Sequence, residues 1–450
     1  MVILENHAAG PGGKIVFPSG RRAERAGNDR PYREYYSEIR FMPLEYFILA
    51  VGFVAGFHMS WNIGANDVAN SMASAVGAKA ITLRQAIFIA GILVIVGAIF
   101  IGGHVTETIR GGIVSPEVLE DPRIALMGAF SALISASLWV SFATWKSLPV
   151  STTHSVVGAM VGFGIITGGW GVINWSVLGT VVGSWVISPV FSMTIGFIMF
   201  KIIIRFVLSH NDAFPAALRL SPVFIGVAVF VVVMSFLFKT PLGSAMAVGD
   251  ITALLVAGVI GIAGGFGGRS LLIRYFSRQK TAKDPELIFR TIQVGTSCYV
   301  ALALGANDVA NAIGPLALIY FLTTTGEVGA QIPVPFYLLL FGGVGIAIGI
   351  AMGGARVIQT VGTRITSLTN TRGYSVDFAA ATTVLLASKL GLPVSTTHAA
   401  VGGVMGVGIA RGLEAVNFAV VFKIMLYWIL TVPAAAITSM ILFLSIRSVF

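Results

Sequence analysis

The sequence is poor in cysteine and in charge, and both scarcities exclude classes of protein. Its 450 residues include one cysteine, Cys298, so neither a disulfide framework nor a Cys-rich zinc site can form within the chain. Charged residues make up 11% of the chain, against about 25% in an average soluble domain. The composition therefore argues against an ordinary soluble domain.

What the chain has instead is apolar sequence and glycine. Hydrophobic residues make up 56% of it, 53 residues are glycine, and the mean hydropathy is +0.89. These values predict an all-α polytopic membrane protein of about 12 transmembrane helices, with broken or re-entrant segments. The segment 309–322 is apolar but short, so we expect it to be re-entrant. The predicted spans are 44–66, 85–103, 124–145, 149–169, 175–203, 219–238, 246–266, 286–306, 334–354, 375–391, 394–411 and 417–446.

The net charge of +10 does not indicate nucleic-acid binding, because the basic residues lie in short loops between apolar spans. This is the positive-inside pattern of a membrane protein. It predicts that the loop 267–285 is cytoplasmic and that the termini of the membrane domain are extracytoplasmic. Residues 1–41 are read as a flexible polar tail, which leaves 42–266 and 286–450 as two halves.

Two heptapeptides occur twice, once in each half. GANDVAN stands at 64–70 and 305–311, and LPVSTTH at 148–154 and 392–398. The copies keep their order, with offsets of 241 (305 − 64) and 244 (392 − 148) residues, which indicates an internal duplication. Seven predicted spans separate equivalent points, and an odd number inverts the second copy. Inverted repeats are typical of secondary transporters, whose site lies near the membrane midplane.

GANDVAN places carboxylates and amides inside a membrane segment. An ionised Asp in lipid costs on the order of 3 kcal/mol, and no Lys or Arg is near it within the span. A cation such as Na⁺ is the natural partner for carboxylate and amide oxygens and for carbonyls freed at a helix break. The alternative is that Asp caps a helix break and Asn joins helices. The predicted cation ligands are Asp67, Asn70, Asp308 and Asn311.

LPVSTTH predicts an anion site. Proline suits the first turn of a helix, and the hydroxyls that follow would lie beside free amides at the positive end of the helix dipole. The alternative is that Ser and Thr bond back to their own helix. The predicted anion ligands are Ser151, Thr152, Thr153, Ser395, Thr396 and Thr397. For His154 and His398 a structural role is favoured over proton exchange.

A cation between the two carboxylates would remove their repulsion of the anion, so the affinity for each ion would depend on the other. This predicts cation–anion symport. An anion channel or a receptor-like sensor of the anion is the alternative from another class. An enzyme is not expected, because no nucleophile motif or acid/base pair appears and GIAGGFGG (261–268) lacks the lysine of a P-loop.

With GANDVANSMASAVGAKAITLRQA (64–86), LPVSTTHSVVGAMVG (148–162) and their echoes GANDVANAIGP (305–315) and LPVSTTHAAVGGVMG (392–406), the chain resembles the inorganic phosphate transporter (PiT) family over about 44–446. The resemblance implies a homodimeric, inverted-repeat transporter that moves phosphate with Na⁺ or H⁺. It implies that Asn66 and Asn307 help the six hydroxyl residues to bind phosphate.

The chain departs from eukaryotic relatives in its acidic residues. Their glutamate after the first GANDVAN is missing from GILVIVGAIF (91–100), and Asp377 stands where they have a second glutamate. This favours Na⁺ over H⁺ as the coupled ion, without a cofactor. An H⁺-coupled phosphate permease and a sulfate permease stay open as alternatives. The short central loop suggests a prokaryotic inner-membrane protein.

Overall fold

The computed structural model describes residues 43–115, 121–145, 150–237, 249–277, 284–325, 333–355, 358 and 369–449. The predicted polar tail 1–41 lies outside this part of the chain, as does the centre of the predicted cytoplasmic loop. The first ten residues of that loop, 267–276, form the last turns of a helix.

The described residues form thirteen α-helices and no β-strand longer than a single bridge, between Val114 and Ile173. The helices are α1 (Pro43–Gly77), α2 (Leu83–Ile101), α3 (Gly103–Gly111), α4 (Pro122–Trp145), α5 (Thr152–Gly168), α6 (Trp175–Ile203), α7 (Ala213–Leu237), α8 (Asp250–Phe276), α9 (Pro285–Thr324), α10 (Phe336–Gly349), α11 (Asn370–Lys389), α12 (Thr396–Arg411) and α13 (Phe418–Val449).

The all-helical membrane fold is confirmed. Within the described residues, nine helices are long and apolar enough to cross a membrane, with α10 counted through the π-helical turn that continues it to Gly354. Two predicted spans are shorter: α5 has 17 residues and α12 has 16, about 25 Å at 1.5 Å per residue. Each follows a longer helix after six residues of chain and packs against it, α5 against α4 and α12 against α11. We therefore read α4–α5 and α11–α12 as the re-entrant elements, each a helical hairpin.

The expectation of a re-entrant segment at 309–322 is wrong. That segment is the second part of α9, a continuous helix of 40 residues. Both GANDVAN copies lie inside unbroken helices, since α1 also runs without a break for 35 residues. No helix break frees carbonyls there, and i→i−4 bonding uses them except at Asn311, whose carbonyl has no i+4 donor because Pro315 lacks an N–H.

The glycine that begins each GANDVAN copy lies where two helices cross at close distance. A Cβ on Gly64 of α1 would overlap the Ile346 carbonyl oxygen of α10, and a Cβ on Gly349 of α10 would overlap the Trp61 carbonyl oxygen of α1. In the second copy, Gly305 of α9 meets α2 in the same way. Small residues at such crossings let membrane helices approach backbone to backbone. Each GANDVAN helix is thus held against a helix of the other half.

The helices α7 and α8 lie at the edge of the helical bundle. They pack mainly against each other, and α8 exposes large apolar side chains such as Ile251, Val259 and Phe266. An apolar exposed surface is expected where a helix faces lipid. The polar residues of the GANDVAN and LPVSTTH motifs lie elsewhere, where α1 and α9 meet the hairpins α4–α5 and α11–α12.

We expect Gly64→Ala to destabilise the protein, because the added methyl has no room between α1 and α10. Overpacking of this kind costs about 1–3 kcal/mol. Thermal unfolding of the detergent-purified protein measures the loss. Gly183→Ala in α6 is the matched control, since its Cβ would meet nothing within 4 Å, and an equal effect of both variants would contradict the crossing.

Candidate functional site

The two LPVSTTH copies form helix N-termini with the same cap. Ser151 precedes α5 and accepts a hydrogen bond from the His154 amide at 3.2 Å, and Ser395 does the same for His398 before α12. The first helical bonds run from Ser155 N to Ser151 O and from Ala399 N to Ser395 O. The amides at 152, 153, 396 and 397 come before these bonds, so they are left for a ligand.

The proline of the second motif does not lie in the first helical turn, so the expectation is wrong for that copy. Pro393 stands two residues before the N-cap Ser395, and its counterpart Pro149 lies outside the described residues. The anion-binding character of the motif comes instead from the serine cap and the two threonines that begin each helix.

A threonine hydroxyl from each hairpin binds the carboxylate of the GANDVAN helix of its own half. Thr152 Oγ1 donates to Asp67 Oδ2 at 3.1 Å, and Thr396 Oγ1 donates to Asp308 Oδ2 at 2.9 Å. The carboxylates accept a second bond from the preceding residue, at 3.2 Å from Asn66 and 2.8 Å from Asn307. The two copies thus make the same contacts.

The asparagines at the end of GANDVAN reach across to the other half. Asn70 Nδ2 donates to Thr397 Oγ1 at 3.0 Å, and Asn311 Nδ2 donates to Thr152 and Thr153 Oγ1 at 3.1 and 3.2 Å. These bonds draw the N-termini of α5 and α12 together. A bond from Thr153 Oγ1 to the Val394 carbonyl at 3.1 Å joins the two hairpins directly.

The two copies differ in how tightly they are closed. Asn307 is fully buried and pairs with the backbone of Val394 through both its amide nitrogen and its amide oxygen. Asn66 is partly exposed and bonds to its neighbouring carboxylate. Asn70 is also partly exposed, whereas Asn311 is buried. The site is therefore more accessible on the side of the first GANDVAN copy.

Asp67 and Asp308 are two acids that have no basic side chain as a partner among the described residues. Asp67 is 1% exposed and Asp308 is 0% exposed, and the two carboxylates repel each other. The ion pair between His104 and Glu107, at 3.9 Å, involves neither of these acids. The hydrogen bonds that these acids accept come from uncharged hydroxyl and amide donors. A cation bound here would therefore neutralise charge that these donors leave uncompensated.

The structure brings together all the residues predicted from the two motifs. A continuous set of hydrogen bonds links ten of them, and the two serines cap the same helices. In the described part of the chain, no group of three or more His, Cys, Asp or Glu side chains forms a metal site. The linked residues are Asn66, Asp67, Asn70, Thr152, Thr153, Asn307, Asp308, Asn311, Thr396 and Thr397.

Asp377 forms a second buried polar cluster. Its carboxylate accepts bonds from Ser74 at 2.7 and 2.8 Å and from Ser297 at 2.7 Å. Ser74 and Ser297 were missed by the sequence reasoning. They stand 303 and 80 residues from Asp377, and no motif marks either of them. The cluster ties α11 to both GANDVAN helices.

Comparisons with known proteins identify the family of the chain. The phosphate transporter family matches residues 63–439 of the chain. A protein of Pyrococcus horikoshii, named as a presumed phosphate permease, is 50% identical over 391 residues, which is 87% of this chain and 95% of that protein. The chain belongs to the phosphate transporter family. As a member of this family it is a membrane transporter and not an enzyme.

Two further relatives extend the family match. The chloroplastic inorganic phosphate transporter 2-1 of Arabidopsis thaliana is 41% identical over 414 residues, 86% of this chain and 70% of the plant protein. A solved structure described as the sodium-dependent phosphate transporter is 44% identical, covers 90% of this chain and all of its own, and superposes with a TM-score of 0.84. The helical arrangement described above is thus a fold of this transporter family.

We expect Ser74→Ala to destabilise this family member, because the buried Asp377 carboxylate loses a donor at both oxygens. Leaving a buried charged acceptor short of partners costs about 1–3 kcal/mol. The thermal midpoint of the purified protein measures the effect. Ser270→Ala is the control, since that exposed hydroxyl bonds only to Phe266 O of its own helix. If Ser74→Ala matches the control, the cluster does not depend on this bond.

Proposed function

We propose that the protein imports inorganic phosphate by symport with Na⁺. One observation carries the proposal: the helix N-termini of both LPVSTTH copies converge on two buried carboxylates that have no basic partner among the described residues. Donors for an anion and acceptors for cations therefore lie in one site. The membership in the phosphate transporter family supports the substrate, and the name of the solved relative supports the coupled ion.

Phosphate would lie between the beginnings of α5 and α12. The free amides and the positive dipole ends there attract an anion, and the adjacent hydroxyls supply hydrogen-bond donors. Phosphate near neutral pH also carries P–OH groups that need an acceptor, and amide or carboxylate oxygens provide one. Sulfate only accepts, which disfavours the sulfate alternative. The proposed phosphate ligands are Ser151, Thr152, Thr153, Ser395, Thr396, Thr397, Asn66 and Asn307.

Na⁺ would take the place of the hydroxyl hydrogens on the carboxylates. In the structure Thr152 and Thr396 donate to Asp67 and Asp308. A cation bound at each acid would free these hydroxyls to donate to phosphate and would cancel the repulsion between acid and anion. Each ion then strengthens the binding of the other, as coupling requires. The proposed cation ligands are Asp67, Asn70, Asp308 and Asn311.

The wider architecture belongs to the same proposal. The duplicated motifs and their matched contacts support two halves in inverted orientation, which would expose one site alternately to the two sides of the bilayer. The distribution of basic residues supports extracytoplasmic ends of the membrane domain. The family resemblance supports a homodimer in the cell membrane.

Uptake of radiolabelled phosphate into proteoliposomes tests the coupling. An inward Na⁺ gradient should drive accumulation above equilibrium, whereas a pH gradient without Na⁺ should not. Accumulation with the pH gradient alone would identify the H⁺-coupled alternative. Downhill flux that needs neither gradient would identify a channel. Inhibition by excess sulfate would point to the sulfate permease.

We expect Asp67→Asn and Asp308→Asn each to reduce Na⁺-driven uptake about ten-fold or more, because each variant loses the charge that balances a cation. A charged hydrogen-bonding partner is worth about 1.5–3 kcal/mol, and 1.4 kcal/mol is ten-fold. Initial rates of uptake against Na⁺ concentration measure the loss. Asp212→Asn, in an exposed turn before α7, is the control. Normal rates in correctly folded variants would contradict the cation assignment.

We expect Thr153→Ala and Thr397→Ala each to raise the apparent KM for phosphate roughly ten-fold, because an anion loses one hydroxyl donor. Thr194→Ala in α6 is a control of the same chemistry, since its exposed hydroxyl bonds only to Val190 O. Phosphate titrations at saturating Na⁺ measure the KM. A change in expression alone, with an unaltered KM, would mean that these threonines serve helix packing.

A further inference from the structure

The helices that carry the LPVSTTH threonines each lie on a partner helix in constant register. On α5, His154, Gly158 and Gly162 face the carbonyl oxygens of residues 428, 432 and 436 of α13, always 274 residues ahead. On α12, His398, Gly402 and Gly406 face the carbonyl oxygens of residues 185, 189 and 193 of α6, always 213 residues behind. The paired helices therefore run parallel in step.

The glycine part of these interfaces leaves no room for a side chain. A Cβ on Gly158 would lie 2.5 Å from the Val432 oxygen, and a Cβ on Gly402 would overlap the Pro189 oxygen. Such an interface is close but smooth, because no side chain projects from the glycines into a hole of the partner helix. Glycine packing alone thus offers little resistance to one helix sliding along the other.

Histidine supplies a directional contact in both interfaces, and on α12 it is joined by Ser192 Oγ of α6, which donates to the Ala399 carbonyl oxygen at 2.6 Å. His154 Nδ1 bonds to the Trp428 carbonyl oxygen at 3.1 Å, and His398 Nδ1 bonds to the Trp185 carbonyl oxygen at 3.1 Å. A carbonyl only accepts, so both rings carry hydrogen at Nδ1. The Trp185 carbonyl is available because Pro189, four residues on, has no N–H to bond it.

The two contacts are joined in one cluster of four rings. His154 packs on the Trp185 ring at 3.8 Å, and His398 packs on the Trp428 ring at 3.5 Å. The histidine rings meet each other edge to face at 4.6 Å. Each tryptophan therefore bonds one histidine through its backbone and contacts the other through its ring. The cluster fixes four helices at one point, next to the first turns of α5 and α12.

We infer that His154 and His398 are positioning residues, which set the register of α5 on α13 and of α12 on α6 and so hold the two threonine pairs at the spacing that one shared anion needs. This role rests on the proposed phosphate site. It assigns neither histidine to the ligand or to proton exchange. Without its histidine bond, a glycine-lined helix is held less firmly in register on its partner. A slip of one turn would move the threonines by about 5.4 Å along the helix axis.

Variants of His398 separate the Nδ1 bond from general packing. His398→Asn keeps an N–H near the Nδ1 position, whereas His398→Gln places its amide farther out, near Nε2. We expect the Asn variant to keep a phosphate KM within about three-fold of the unmodified protein. The Gln variant should raise the KM about ten-fold or more, as expected for the loss of one well-placed anion donor, while the rate at saturating phosphate changes less.

A disulfide readout measures the register without transport. A Cβ on Gly403 of α12 would lie 3.4 Å from Ser192 Oγ of α6, which is within reach of a disulfide. In a Cys298→Ala background, Ser192→Cys with Gly403→Cys should cross-link readily on oxidation. The yield should persist with His398→Asn and fall several-fold with His398→Gln.

The two readouts keep this inference separate from the transport function. If the unmodified protein transports no phosphate, the proposed function fails, whereas the cross-linking contrast still tests the register. If the Asn and Gln variants give equal yields and equal KM values, whether both are normal or both are impaired, the positioning role is wrong.

Discussion

The structure depends on two hydroxyl-to-carboxylate hydrogen bonds, from Thr152 to Asp67 and from Thr396 to Asp308. A carboxylate in the middle of a membrane fold is costly unless it is paired or hydrogen-bonded. Here the donor lies in the first turn of a short helix, so the N-terminus of that helix must lie deep inside the protein. The hairpins, their serine caps and the glycine crossings of α1 and α9 all serve to bring that helix start to the acid.

The same two bonds underlie the proposed symport. In that proposal the threonine hydroxyl that donates to the acid would donate to the anion instead when a cation binds the acid. The cross-half bonds of Asn70 and Asn311 connect these exchanges in the two copies. One site with two similar halves then responds as a unit.

Much of this site could be predicted from the sequence, because repetition marks it. The two motifs indicated the acids, the amides and the helix starts. The serine caps were not predicted, because the proline was expected in the first helical turn. Helix continuity through GANDVAN was not predictable, since Gly64 reads equally well as a break or as a close crossing, and only the position of Ile346 decides. Ser74 and Ser297 were missed because their partner Asp377 is near them only in the folded chain. In the sequence the histidines were candidates for either proton exchange or a structural role. Their carbonyl partners on Trp428 and Trp185 could not be predicted, because tertiary packing brings them together.

The exchange of contacts between the halves has a consequence for biosynthesis. Asn70 bonds to threonines 326 and 327 residues later in the chain. At about 5–20 residues per second, the ribosome would need roughly 15 to 65 s to make these partners. During that time the first GANDVAN helix holds an acid and an amide whose site is half built. Membrane insertion must therefore either keep this helix in a polar surrounding or tolerate it unsatisfied until the second hairpin arrives.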